Sequence, residues 1–376
     1  MEFTAGGRLE LRLTRSDVGK RVSVRRVIQE GPAGRKFTDT VGVLTSWDNG
    51  VLLITRKTGE RVRIEESSLV AGKVVPPAPA RRRGPAATFP ELARVAARAW
   101  QPVESERLGE WELRAAVQAE PREARPRGEV VGRRAGFTRR ANSVLPLGDP
   151  GRPLDVALDR VREWYAARGL PAYVQTATGA EGTQELLCAG LEERGWVREV
   201  SAELRIAALA PVADLDRSGE PGRGGEPGGP GGGVELSREP GAGWLDRYQR
   251  KGVSEVALKV LCAGPSVWFA TVRGENEDRG ADGVVVPAAI GRCVVDGRWA
   301  SFAAVEVDPA RRRQGLATAV MAALARRALD EGASAALLQV EAENEGARGL
   351  YDRLGFTTHH AYQHYRAPEG TTRSTA

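Results

Sequence analysis

Residues 305–317, Val-Glu-Val-Asp-Pro-Ala-Arg-Arg-Arg-Gln-Gly-Leu-Ala, join a short apolar run to a basic, glycine-bearing loop and then to an Ala/Leu-rich segment. Pro309 cannot continue a hydrogen-bonded ladder, so the strand stops there. Val320, Leu324 and Ala328 recur every four residues, which predicts a helix beginning near Gln314 or Gly315. The unpaired N–H groups of its first turn and the positive end of its dipole suit a phosphate anion. Gly315 and Ala317 are small enough for close backbone approach, and Arg311, Arg312 and Arg313 add positive charge. The loop has no Gly-Lys-Ser/Thr step of a Walker motif and no G-x-G-x-x-G of a dinucleotide fold, so neither common phosphate loop fits. A nucleotide-bearing cofactor held by its pyrophosphate is implied. In the strand before it, Glu306 and Asp308 alternate with Val305 and Val307, so two carboxylates share one face.

The elements that must position these groups follow directly. Helix 316–331 is closed by Gly332, strand 335–341 comes next, then Asn344, then a helix carrying Ala347, Leu350 and Tyr351, then Leu354-Gly355-Phe356. Arg312-x-x-Gly315-x-Ala317 resembles the acetyl-CoA motif of GCN5-related N-acetyltransferases. The run from Asn344 to Phe356 is similar to that family's second cofactor motif, N-x-x-A-x-x-L-Y-x-x-x-G-F. The resemblance implies acetyl-CoA as cosubstrate, its pyrophosphate on Arg312, Arg313, Gln314, Gly315, Leu316, Ala317 and Thr318. It implies that the backbones of Val305 and Val307 hold the pantetheine and polarise the acetyl carbonyl, and that Asn344 bonds the pantetheine arm. Glu306 would be the general base and Tyr351 the general acid toward the sulfur. The reaction would be direct attack of a primary amine, on a protein or on a small molecule, at the thioester.

The 376 residues suffice for two or three domains. Cys188, Cys262 and Cys293 are odd in number and far apart, which supports neither a disulfide framework nor a zinc site. His360 and His364 lie in a strand pattern, where four residues span about 13 Å, too far for one ion, so no metal is expected. No run approaches the roughly 18 apolar residues of a membrane span and the N-terminal residues lack a signal-peptide pattern, so a cytoplasmic protein is expected. Residues 1–85 carry 17 Lys+Arg against 9 Asp+Glu, a net +8, whereas the remainder carries −2. That basic piece reads as short β-rich runs separated by turns such as Trp47-Asp48-Asn49-Gly50. An SH3-like β-barrel over 1–75 is expected, with a Pro/Arg linker over 76–87 and a possible nucleic-acid or acidic-protein partner.

Residues 88–209 repeat the helix–strand order of 235–368, and Leu191-Glu-Glu-Arg-Gly-Trp196 parallels Tyr351-Asp-Arg-Leu-Gly-Phe356. Where the second half has its arginine loop, the first has Pro146-Leu-Gly-Asp-Pro-Gly-Arg-Pro153, with no R-x-x-G-x-A. The fold expected is therefore α/β (α+β), an SH3-like barrel followed by tandem acetyltransferase folds, the first degenerate and without cofactor. A Gly/Pro-rich linker is expected over 210–234, since residues 217–233 hold nine glycines and three prolines. Residues 273–283 form a second polar loop, and 369–376 a disordered tail. Asp17-Val-Gly-Lys-Arg-Val22, Trp111-Glu-Leu-Arg114, Gly136-Phe-Thr-Arg-Arg-Ala-Asn-Ser-Val144 and Trp164-Tyr-Ala-Ala-Arg-Gly169 extend the resemblance. They are similar to an actinobacterial branch of the family, described as histone-acetyltransferase-like, with an SH3-like N-terminal domain. A second function class stays open: a CoA-responsive regulatory module whose basic barrel recruits nucleic acid or a protein.

Overall fold

The structure is a computed structural model and describes residues 11–31, 34–76, 84–119, 134–215, 233–248, 254–274 and 285–368. Most of both linkers, the 273–283 loop and the C-terminal tail lie outside them. The chain divides into two compact units, one of residues 1–81, 176–201 and 359–376, the other of 82–175 and 202–358.

In the first unit, β1 (Leu11–Arg12), β2 (Arg21–Gly31), β3 (Gly34–Asp48), β4 (Val51–Thr55), β5 (Arg61–Glu65) and β6 (Leu69–Val74) form one sheet in the order β1-β6-β2-β3-β4-β5. Alternating Val22 and Val24, Leu52 and Ile54, with Leu44, Trp47 and Ile64, bury one face. Asn49 and Gly50 both take positive φ, 50° and 74°, as the tight β3–β4 hairpin requires. The expected closed barrel is not found. β5 pairs with β4 and the two-residue β1 with β6, and among the described residues no ladder joins these two edges. Backbone bulges between Val27 and Gln29 and between Leu44 and Ser46 bend the long β2 and β3 without closing the sheet.

Along the rest of the chain come α1 (Phe89–Arg98), β7 (Glu104–Leu108), β8 (Trp111–Ala115), β9 (Val117–Ala119), β10 (Arg134–Gly136), β11 (Leu145–Pro146), α2 (Leu154–Ala166), β12 (Tyr173–Thr178), α3 (Glu185–Glu193), β13 (Val197–Ala208) and α4 (Leu209–Asp214). They are followed by β14 (Val234–Ser237), α5 (Ala242–Arg247), α6 (Glu255–Cys262), β15 (Ser266–Val272), β16 (Ala289–Asp296), β17 (Trp299–Val307), α7 (Leu316–Asp330), β18 (Ala335–Glu341), α8 (Glu345–Arg353) and β19 (Thr357–Arg366). In the second unit β14, β15, β16 and β17 pair antiparallel in succession, β17 pairs parallel with β18, and Ala202–Ala208 of β13 pairs antiparallel with β18. Among the described residues no helix is long and apolar enough to cross a membrane.

The strand alternation divides the core into two layers. Ala289, Cys293 and Val295 of β16 face α4 and α7, packing with Val320, Met321, Leu324 and Ala328. Ile290 and Val294 face the other way, onto Trp244, Tyr248 and α6. Further along the same face, Leu92, Val95 and Ala96 of α1 cover Trp299, Leu337 and Leu204. The α1 start is set by Thr88, whose hydroxyl accepts from the Glu91 amide at 3.3 Å.

One buried cation ties this layer together. Arg292, fully buried in β16, donates from Nε to the Leu261 carbonyl (2.7 Å), from Nη1 to Ala99 (2.9 Å) and from Nη2 to Ala263 (3.0 Å). It thereby satisfies orphan carbonyls at the C-terminal ends of α6 and α1, where helix dipoles favour a positive charge. Burial lowers its pKa to about 10, still well above neutrality, so it stays charged. Replacing it with Met keeps the stem and leaves these buried acceptors bare; Arg292→Met is expected to destabilise the second unit by about 2–4 kcal/mol in urea unfolding. Unchanged stability would remove this role. At Gly291 an added Cβ would stand 2.4 Å from Cγ1 of Val320 in the packed α7, so Gly291→Ala is expected to cost about 1–3 kcal/mol in the same measurement.

Candidate functional site

The site begins with a defect in the β16–β17 ladder. Ile290 pairs with Glu306 and Arg292 with Ala303, so Gly291 alone faces the two residues Ala304 and Val305. This is a β-bulge, and Ala304 carries it at φ 51°, a left-handed conformation that costs a non-glycine residue about 1–3 kcal/mol. Two consequences follow. First, β17 and β18 pair only from Trp299↔Ala335 to Phe302↔Leu338, although β17 runs on to Val307 and β18 to Glu341. The two parallel strands separate past that point, and their facing edges are open to a ligand. Second, the extra residue reverses the alternation. Ala300 and Phe302 face the α7 layer before the bulge, whereas Val305 and Val307 do so after it. Glu306, opposite Ile290, is thus turned to the Tyr248 face rather than into the α7 core.

A cleft of about 870 Å³ occupies the split. Val305, Glu306, Val307, Arg312, Arg313, Gly315, Leu316, Ala317, Thr318, Asn344 and Tyr351 all line it. Gln314 does not; it is exposed, and its Oε1 accepts from Arg311 Nε at 3.0 Å. The loop is shaped by local rules. Asp308 caps the turn Pro309–Arg311 by accepting the Ala310 amide at 2.8 Å. Arg313 and Gly315 then take positive φ, 65° and 81°, and Gly315 becomes the left-handed N-cap of α7. Ala319 N–H is the first to bond back, to Gly315 O at 3.0 Å, which leaves the amides of residues 316–318 as the helix's orphan donors.

The two strand carboxylates have separate fates. Asp308 accepts from the Ala310 amide and from Arg247, which hold its pKa below the usual carboxylate range, and it does not line the cleft. Glu306 does line it. Tyr351 is half-buried on α8, edge-on to Phe356 with ring centroids 5.9 Å apart. Burial raises its pKa to about 12 while the Arg140 charge pulls it back, so the phenol keeps its proton through the neutral range. Asn344 is the N-cap of α8, its Oδ1 accepting from the Ala347 amide at 3.0 Å, so its amide NH₂ is the part left to meet a ligand. The helix that carries Tyr351 is anchored to β13: Arg205 donates to the Arg348 carbonyl (3.1 Å) and pairs with Asp352, and Glu203 accepts from Arg348 at 3.3 Å.

The loop before α2 is differently furnished. The Asp149 amide donates to Glu110 Oε2 at 2.8 Å, and the Gly151 amide to Asp149 Oδ1 at 2.7 Å. Carboxylates already occupy these amides, the opposite of a phosphate site. Trp100, Arg140, Tyr248 and Ser301 form the other wall of the cleft, and no motif along the chain marks them as site residues. Arg140 lies in the Gly136–Val144 motif noted above, but nothing local to the chain places it near residues 301–351.

A model of the family described as "probable histone acetyltransferase Rv0428c C-terminal" matches residues 87–365. No curated protein matches the chain. Among solved structures it is similar to a GCN5-related N-acetyltransferase from Kribbella flavida, at 19% identity over 74% of this chain and 96% of that one, with a TM-score of 0.44. A tandem GNAT protein from the clavulanic acid biosynthesis pathway shows 14% identity over 77% and 91%, with a TM-score of 0.45. A GCN5-related N-acetyltransferase from Sphaerobacter thermophilus shows 17% over 59% and 70%, with a TM-score of 0.37. Over most of its length the chain belongs to the family of the probable histone acetyltransferase Rv0428c C-terminal region.

Proposed function

We propose that the chain transfers an acetyl group from acetyl-CoA to a primary amine by direct attack on the thioester. The observation that carries this reading is the continuity of one cleft from the orphan amides of α7 to the unpaired edges of β17 and β18. The amides of Leu316, Ala317 and Thr318, with Arg312 and Arg313, take the pyrophosphate. Backbone groups of Val305 and Val307 would pair with the pantetheine as a missing strand would, and an N–H there would polarise the acetyl carbonyl. Asn344 offers its NH₂ to the pantetheine arm.

Glu306 faces the side of the sheet away from α7 and would accept the proton that the amine loses, directly or through one water. Tyr351 would donate to the departing sulfur. The new bond is amine nitrogen to acetyl carbon, the bond broken is carbon to sulfur, and the net proton leaves on the thiol. We further read residues 88–209 as a degenerate acetyltransferase half that shapes the acceptor pocket, 235–368 as the cofactor-binding half, and the N-terminal sheet as an open SH3-like module. The carboxylate-filled loop at 149–151 supports one cofactor site per chain.

Gly315→Glu is expected to abolish acetyl-CoA binding in calorimetry, because a side chain is strained at φ 81° and its charge opposes phosphate. Undiminished binding, or two sites per chain, would sink this reading. Tyr351→Phe is expected to lower kcat roughly 10²-fold or more with the acetyl-CoA KM nearly unchanged, since general-acid help is typically worth 10²–10⁴. Equal turnover would reduce Tyr351 to packing.

A further inference from the structure

The cleft reaches both faces of the sheet, and its second face has chemistry of its own. Ala303 and Ala304 pack toward Trp100 and Tyr248, and Ser301 shares the Trp299 side of β17. On that face the cleft is walled by Trp100, just past α1, and by Tyr248, at the end of α5, which stacks on Trp244 with centroids 5.3 Å apart. The Arg140 guanidinium sits over the Trp100 ring, 5.6 Å from its centroid, and lines the cleft half-buried. Ser301 lines the cleft but is buried, and its Oγ has no hydrogen-bond partner among the described residues. Glu306 and, by alternation along β18, Glu341 supply negative charge on this face, and Arg140 supplies a positive charge against Trp100.

This pattern is dipolar. An acceptor must present its amine at the split between the strands, next to Glu306. A guanidinium held against an aromatic ring is only weakly solvated, and its planar donor fork matches a carboxylate. The same positive charge lowers the pKa of a nearby amine and so favours the nucleophilic free base. It disfavours a lysine-rich segment, which would bring further cations against it. Arg140 also sits close enough to the reaction centre to be felt by Tyr351.

Resting on the acetyl-transfer reading above, we propose that the acceptor is an amine that carries a carboxylate, an amino-acid-like molecule whose carboxylate is bound by Arg140 and whose apolar part lies against Trp100 and Tyr248. Arg140 is a specificity-determining residue supplied from the first half of the chain to the site of the second. A basic protein tail is the disfavoured acceptor.

The test uses the full chain with acetyl-CoA and a pair that differs by the carboxylate alone, phenylalanine and phenethylamine, beside a lysine-rich peptide. The expected kcat/KM is at least tenfold higher for phenylalanine than for either other amine. Arg140→Gln should erase that ratio, and Arg140→Lys should keep part of it, while both retain the wild-type Kd for acetyl-CoA, which reports that they fold. A binding arm covers slow turnover: CoA-loaded protein should bind N-acetylphenylalanine at least tenfold tighter than N-acetylphenethylamine, again through Arg140. Equal values within the pair, a preference for the peptide, a ratio that survives Arg140→Gln, or no binding of N-acetylphenylalanine would each overturn the proposal. Failure of the wild-type chain to bind acetyl-CoA would instead overturn the reading on which it rests.

Discussion

The site depends on one extra residue in β17. Without the bulge at Ala304, β17 and β18 have no reason to part after Phe302, and their facing edges would be spent on each other. The strained φ of Ala304 is offset by what surrounds it. Gly291 opposite has no side chain, so α7 packs down onto the bulged pair through Val320 and Leu324. A local defect in a ladder is stable here because a helix clamps it.

The same bulge sets the chemistry as well as the shape. Strand alternation would carry the parity of Ala300 and Phe302 forward and aim Glu306 at the α7 core, where a carboxylate without a partner is costly. The inserted residue hands that direction to Val305 and Val307 and turns Glu306 to the opposite face. Separation of the strands and the turning of Glu306 toward the cleft are therefore one event. Around it, Arg292 fastens the ends of α1 and α6, and Arg205 fastens α8, so the walls of the cleft are held by buried guanidinium contacts to backbone carbonyls.

Parts of this were legible in the chain. The turn at Pro309 and the helix start at Gly315 were, because proline, glycine and the periodic helix act through contiguous backbone, and strand 335–341 coincides with β18. The carboxylate pair was legible only as far as alternation reaches. Glu306 and Asp308 oppose the valines, yet Arg247, 61 residues upstream, claims Asp308. Gln314 fits the motif by spacing but turns to Arg311. The barrel expected over 1–75 failed on the same ground, since strand-like runs are visible locally whereas closure requires a pairing between edges that no residue type announces.

The sequence by itself determined the strand, turn and helix around residues 305–330 and the family resemblance, since each depends on residue types at fixed short spacing. Tertiary structure decided which strands separate, which way Glu306 points, and that Trp100, Arg140 and Tyr248 meet at one cleft with Tyr351. Those are contacts between residues up to 251 apart in the chain, and they arise from packing of helices on a bulged sheet. Such contacts leave no periodic trace along the chain, because the energy that selects them is the shared burial of the assembled layers rather than a property of any one segment.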